Sequence, residues 1–180
     1  APPALMGAHQ FQNAGAAIAG LRHLGFDAQV CEAAATDVTW PARMQRLREG
    51  PLVEAAPKAE LWLDGGHNAA CAQTLRESLG RLPHRPTHLI CGLMNTKDVA
   101  GYMAPLVGLV ETLQGVSIPG EVNTLSAEAT SQAADRAGIP SVPANSVAEA
   151  LQKIIAETPE ARVLICGSRY LAGSILRDHG

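Results

Sequence analysis

Leu61-Trp62-Leu63-Asp64-Gly65-Gly66-His67-Asn68 is the stretch on which the reading of this chain turns. A short apolar run ends in an acid, two glycines follow, and then a His-Asn pair. Beyond it Ala69 to Leu79 has helical spacing, with Leu75 and Leu79 one turn apart. The order is strand, tight turn, helix. In an open α/β sheet that junction lies at the carboxyl edge of the strands, where ligands bind. Glycine lets the backbone turn sharply and approach a ligand closely. The free N–H groups of a helix start favour an anion. Asp64 and His67 are then expected to face one crevice. The plainer reading is an ordinary strand-to-helix turn with Asp64 as the helix N-cap. These eight residues do not choose between the two.

Working outward, the same alternation continues. Strands are expected at 60–64, 87–92, 110–116, near 141–142 and at 162–166. Helices are expected at 68–80, 97–107, 127–137, 147–157 and 170–177. Ser146 and Glu149 have the capping-box spacing for the helix at 147–157. Strands alternating with helices imply an α/β fold, a mostly parallel Rossmann-like sheet with helices on both faces. Upstream the pattern changes. Residues 1–8 read as an irregular arm, and Asn13 to Leu24 as a helix stopped by Gly25, its alanines and glycines suited to close packing. Asp27 to Val38 reads as a short helix, broken at Trp40-Pro41. Met44 to Leu47 is expected to be a first strand, paired through a turn near Glu49-Gly50-Pro51 with Leu52-Val53. The division that follows is an arm or neighbouring unit at 1–39 and an α/β domain at 40–180. Trp40 and Trp62 are assigned to packing.

Composition narrows the function. The chain has 180 residues, 47% of them apolar and 17% charged, enough for a sizeable core, and the 3% that are aromatic leave that core to Ala, Leu, Val and Ile. A net charge of −3 with no basic tract argues against nucleic acid or an acidic membrane surface as partner. No run approaches a membrane span, and Ala1-Pro2-Pro3-Ala4 is not a signal peptide. The start without Met points to a processed or excised chain. Cys31, Cys71, Cys91 and Cys166 include no C-x-x-C pair, which argues against zinc. Cys91 and Cys166 fall inside apolar runs as buried thiols, a usage that suits a reducing cytoplasm.

Three strand ends carry polar residues: Asp64 with His67, then Asn95-Thr96-Lys97-Asp98, then Gly167-Ser168-Arg169-Tyr170. In a parallel sheet all three lie along one edge. Lys97 there suits a carboxylate or phosphate, and Ser168 suits an anion. Singly, Lys97 reads as a solvated lysine in a first helical turn and Ser168 as a simple N-cap. No G-x-S-x-G elbow, Walker loop or G-x-G-x-x-G is present. His9, His23, His84, His88 and His179 are expected on the surface or in loops.

Five motifs in order resemble the C-terminal region of folylpolyglutamate synthase/dihydrofolate synthase, a branch of the Mur ligase superfamily. His9-Gln10 with Asn13-Ala14-Gly15-Ala16-Ala17 is similar to H-Q-x-x-N-A-x-x-A. Trp40-Pro41-Ala42-Arg43-Met44-Gln45 is similar to W-P-G-R-[LM]-[EQ]. Asp64 to Asn68 is similar to D-G-A-H-N, Gly92 to Asp98 to G-x-x-x-x-K-D, and Cys166 to Gly173 to C-G-S-L-Y-L-A-G.

The resemblance implies an ATP-dependent amide ligase. Such an enzyme activates the carboxylate of dihydropteroate or a folate as an acyl phosphate, which the amino group of L-glutamate attacks. It implies a central ATPase domain, preceding this region, that holds the phosphate loop, the Mg2+ ligands and a carbamylated lysine, so that this chain alone is inactive. Residues 1–39 would then be the end of that central domain or an interdomain arm. By position, Asn13 would meet the adenine, Arg43 the phosphates and Asp64 the ribose side, with His67 lining the nucleotide cleft. Lys97 and Ser168 would hold the glutamate. Arg43 and His67 are the expected catalytic residues. Departures are Gly66 for the family's alanine, taken as mild, Arg169 for leucine, and a longer hairpin expected around Glu49 to Lys58. The alternatives are a cell-wall Mur ligase C-terminal domain and a non-catalytic α/β module that binds a nucleotide or a protein.

Overall fold

The computed structural model describes residues 2–5, 7, 9–96 and 98–179, so Lys97 lies outside the described residues. The chain divides into two compact units, Ala1–Arg43 and Met44–Gly180.

In the first unit α1 (His9–His23) packs on α2 (Ala28–Thr36). Gly25, at φ 87°, ends α1: its N–H bonds Arg22 O and the Phe26 N–H bonds Leu21 O. That double bond with a left-handed glycine is a Schellman stop. Asp27 caps α2, its Oδ1 accepting the Val30 N–H at 2.9 Å. Gln10 is the buried residue of α1; the packing expected of this helix is made against α2, while Ala16, Ala17 and Ala19 stay exposed. Trp40, expected to pack, is 61% exposed.

In the second unit the described residues form a six-stranded sheet in the order β1-β2-β6-β3-β4-β5. The strands are β1 (Gln45–Arg46), β2 (Glu60–Leu63), β3 (Thr87–Cys91), β4 (Thr112–Gly115), β5 (Ser141–Pro143) and β6 (Arg162–Cys166). β1 runs antiparallel to β2, and every other pairing is parallel. The helices are α3 (Pro51–Ala55), α4 (Ala69–Gly80), α5 (Val99–Met103), α6 (Ala127–Ala137), α7 (Val147–Glu157) and α8 (Arg169–His179). The α/β architecture is the one the alternation implied.

Register explains the core. Trp62, Leu164, Leu89 and Leu113 are aligned across β2, β6, β3 and β4. They pack with Leu75 and Leu79 of α4, Tyr102 and Met103 of α5 and Ala134 of α6. Because side chains alternate along a strand, Leu63, Ile90 and Ile165 face the other way, and they too are buried. Both faces are covered, as a parallel sheet requires.

Three expectations fail here. Leu52-Val53 is not a strand. Gly50 at φ 94° is followed by Pro51 at the first helical position, where a missing N–H costs nothing, and α3 forms instead of a lengthened hairpin. β1 pairs with β2 rather than with that segment. The helix expected at 97–107 is α5 followed by a 3-10 turn, Ala104–Leu106, since Pro105 has no N–H to continue the α ladder. His88 is no surface residue: it sits in β3, 7% exposed. Cys31, Cys91 and Cys166 are buried free thiols. No helix among the described residues is long and apolar enough to cross a membrane.

Candidate functional site

β2 ends at Leu63, and Asp64 turns the chain. Its carboxylate is buried, 7% exposed. Oδ1 accepts the Gly66 N–H at 2.7 Å, and Oδ2 accepts the Met44 N–H at 2.8 Å. The acid thereby fixes its own turn and the segment entering β1. It is not the cap of α4. Asn68 is, with Oδ1 accepting the Cys71 N–H at 2.9 Å. Gly66 is required by space: a Cβ there would lie 2.7 Å from Cys71 Cβ and 2.8 Å from Asp64 Oδ1. The replacement of the family's alanine is therefore not mild in this chain. His67 is half-buried, and its Nδ1 lies 3.3 Å from Gly65 O. A carbonyl oxygen can only accept, so Nδ1 is the donor of that contact.

β6 lies between β2 and β3, so the loops after all three leave one edge of the sheet. Gly167, at φ 103°, lets β6 and β3 come close at this edge, because a Cβ there would sit 2.6 Å from Gly92 O. Ser168 follows, 2% exposed, its Oγ accepting the Tyr170 N–H at 3.1 Å at the start of α8. Asp98 caps α5 through the Gly101 N–H at 2.9 Å. Between these loops is a cleft of about 210 Å³ lined by His67, Met94, Thr96, Ser168, Arg169 and Tyr170. The structure thus brings His67 and Ser168 to one cleft. Met94 and Thr96 lie in the Gly92–Asp98 motif, and Thr96 in the polar strand end already placed on this edge, but the motif implied a role there for Lys97 alone.

The first unit has its own cavity, about 380 Å³, whose wall includes Gln10, Asn13, Val38, Trp40 and Arg43. Asn13 Nδ2 donates to Gln10 Oε1 at 2.9 Å. That leaves the Asn13 amide oxygen as acceptor and the Gln10 amide nitrogen as donor, a pair that complements the edge of a base. Trp40 supplies an open aromatic face and Arg43 a guanidinium. Arg43 is flanked by two left-handed residues, Ala42 at φ 55° and Met44 at φ 43°. Such conformations cost roughly 1 kcal/mol or more each and persist only when the surroundings impose them. Both residues are buried, and the Asp64 carboxylate holds Met44. Trp40 and Gln10 belong to motifs visible in the sequence, yet neither was read as a site residue. Among the described residues no group of three or more His, Cys, Asp or Glu side chains could hold a metal ion.

The family described as dihydrofolate synthetase, C-terminal domain, matches residues 53–178. A folylpolyglutamate synthase of Lacticaseibacillus casei is 29% identical over 136 residues, which are 76% of this chain and 29% of that protein. Among solved structures, Mycobacterium tuberculosis folylpolyglutamate synthase complexed with ADP aligns with a TM-score of 0.81 at 25% identity, covering 96% of this chain and 40% of that one. Folylpolyglutamate synthase of Thermotoga maritima, at 20% identity and a TM-score of 0.72 over 96% of this chain and 39% of that one, shares the fold. The chain spans less than half the length of these relatives.

Proposed function

Because the chain belongs to the family of dihydrofolate synthetase C-terminal domains, we propose that it is one half of an ATP-dependent ligase that joins L-glutamate to dihydropteroate or a folate. The observation that carries this reading is the convergence of His67, Thr96 and Ser168, from three strand ends, on one cleft within the matched region.

In this reading the first unit handles ATP. Asn13 and Gln10 read the adenine edge, Trp40 stacks on its face, and Arg43 offsets the charge that develops on the transferred phosphoryl group. A donor already positioned does so without reorganising. The second unit contributes to the nucleotide as well: Asp64 acts on the ribose side from the turn it fixes, and His67 acts from the cleft that it shares with Ser168. In the second unit Ser168 and Lys97 hold the incoming glutamate, Lys97 by charge pairing with its carboxylate. Closure onto a central ATPase domain of the same longer polypeptide would exclude water from the acyl phosphate. Mg2+, which offsets phosphate charge in such a reaction, is assigned to ligands outside the described residues, and residues 1–39 to the end of that central domain. The exposed Phe11, Leu24 and Phe26 support a docking role for the first unit, since large apolar side chains open to water gain from burial against a partner.

The test is ADP release by the longer ligase. It should require both a pterin-type carboxylate and glutamate, and the isolated 180-residue chain should show none. Release that is independent of glutamate, or turnover by the chain alone, would overturn the reading.

A further inference from the structure

Arg169 lines the cleft at the strand ends together with His67, Thr96 and Ser168. It stands where the motif C-G-S-L-Y-L-A-G has leucine, so the resemblance assigns it no role.

Its place in the fold is electrostatically unfavourable. Arg169 is the first residue of α8, whose first turn holds no acid. The free N–H groups of a helix start carry a partial positive charge, which disfavours a cation there. Arg22 and Arg136, by contrast, lie in the last turns of α1 and α6, and Arg81 closes α4, where the dipole favours them. Nothing in the chain offsets the mismatch at α8. Arg169 is exposed, and its guanidinium makes no hydrogen bond or ion pair among the described residues. An anion in the cleft would remove the mismatch.

The cleft suits such a guest. No Asp or Glu is among its described lining residues. Ser168 is 2% exposed and accepts the Tyr170 N–H, but its own hydroxyl proton has no acceptor among the described residues. An unused O–H beside an unpaired guanidinium complements a carboxylate, whose two oxygens match the arginine fork. At about 210 Å³ the cleft is smaller than pockets for drug-sized ligands, a size for one amino acid rather than a pterin.

We propose that Arg169 is a substrate-binding residue, its guanidinium gripping one of the two carboxylates of the incoming glutamate beside the Ser168 hydroxyl. The inference rests on the reading of this cleft as the glutamate site. An amide in place of that carboxylate keeps the shape and loses the charge, so Arg169 also selects glutamate over the matching monoamide.

The test is ADP release by the longer ligase with L-glutamate, L-glutamine or L-isoglutamine, in the parent, Arg169→Leu and Arg169→Lys. Arg169→Leu should raise KM for glutamate roughly 10-fold and leave kcat within about twofold. The monoamide that lacks the gripped carboxylate should have the same kcat/KM in parent and Arg169→Leu, and the other should lose as much as glutamate does. The pair thereby identifies the carboxylate. Arg169→Lys, which keeps the charge without the fork, should recover part of the loss. If neither monoamide turns over, the salt dependence of KM for glutamate decides: between about 50 and 300 mM KCl it should be steeper in the parent than in Arg169→Leu. An unaltered KM for glutamate in Arg169→Leu, equal losses with glutamate and both monoamides, or equal salt dependence would overturn the role of Arg169 and leave the reading of the cleft standing. ADP release by the parent that is independent of glutamate would overturn both.

Discussion

The carboxylate of Asp64 accepts the backbone N–H of Met44, twenty residues upstream, at 2.8 Å. One oxygen thus anchors a left-handed residue while the other closes the Asp64–Gly66 turn. The acid is therefore part of the scaffold as well as a proposed ligand contact. Asp64→Ala should destabilise the second unit by roughly 2–4 kcal/mol, because it strands two buried N–H groups. Urea unfolding measures this. A variant that loses nucleotide affinity but keeps the parent midpoint would show that Asp64 serves the ligand alone.

Gly66 is held to glycine by its neighbours rather than by φ. Gly66→Ala should cost about 1–3 kcal/mol, the range for forced overpacking, since the clash is with Cys71 Cβ, an atom that no rotamer can move. Thermal unfolding of the purified variant tests it. A loss under about 0.5 kcal/mol would mean that the turn relaxes freely.

At the opposite edge of the sheet Glu60 is in register with Arg162, and its Oε2 accepts the Arg162 Nε–H at 2.9 Å. Arg46 and Arg85 lie at 3.3 and 3.5 Å. Burial pushes the carboxyl pKa up, but the Arg162 hydrogen bond, the Trp62 indole and the Arg162 and Arg46 charges outweigh it and hold it below 4.5. The unfolded chain therefore binds more protons than the folded one as pH falls below about 4.5. The stabilisation from Glu60 is complete above that pH and is lost as pH falls through the lower folded value. Glu60→Gln should flatten stability against pH in that window. At pH 7 it should cost roughly 2–3 kcal/mol, because Arg162, nearly fully buried, loses its counter-charge. An unchanged acid limb in the variant would assign the acid sensitivity to other groups.

What the sequence made legible was local. Ser126 and Ser146 cap α6 and α7, accepting the N–H of Ala129 and Glu149, and both helices have the expected bounds. The strands expected at 60–64 and 162–166 are β2 and β6. What was misread depends on context. Leu52 looks the same in a strand or a helix, and only Gly50-Pro51 decides. His88 is polar, so a surface position was expected, but the register with Thr112 buries it. Trp40 is large and apolar, so packing was expected, but it lines an open cavity. Within the candidate site the edge that gathers His67 and Ser168 was legible, since parallel strands bring their ends together. The bond from Asp64 to Met44 was not, because it joins the start of one strand to the end of another.

The central claim is a division of labour, with ATP gripped through Asn13 and Arg43 and glutamate through the cleft at Ser168. Steady-state kinetics of the proposed longer ligase test it most directly. Arg43→Ala should lower kcat by about 100-fold or more without a matching rise in KM for glutamate. Ser168→Ala should raise KM for glutamate by roughly 10-fold and leave KM for ATP within about twofold. Near-parent turnover in Arg43→Ala, or a Ser168→Ala effect on ATP rather than glutamate, would contradict the account.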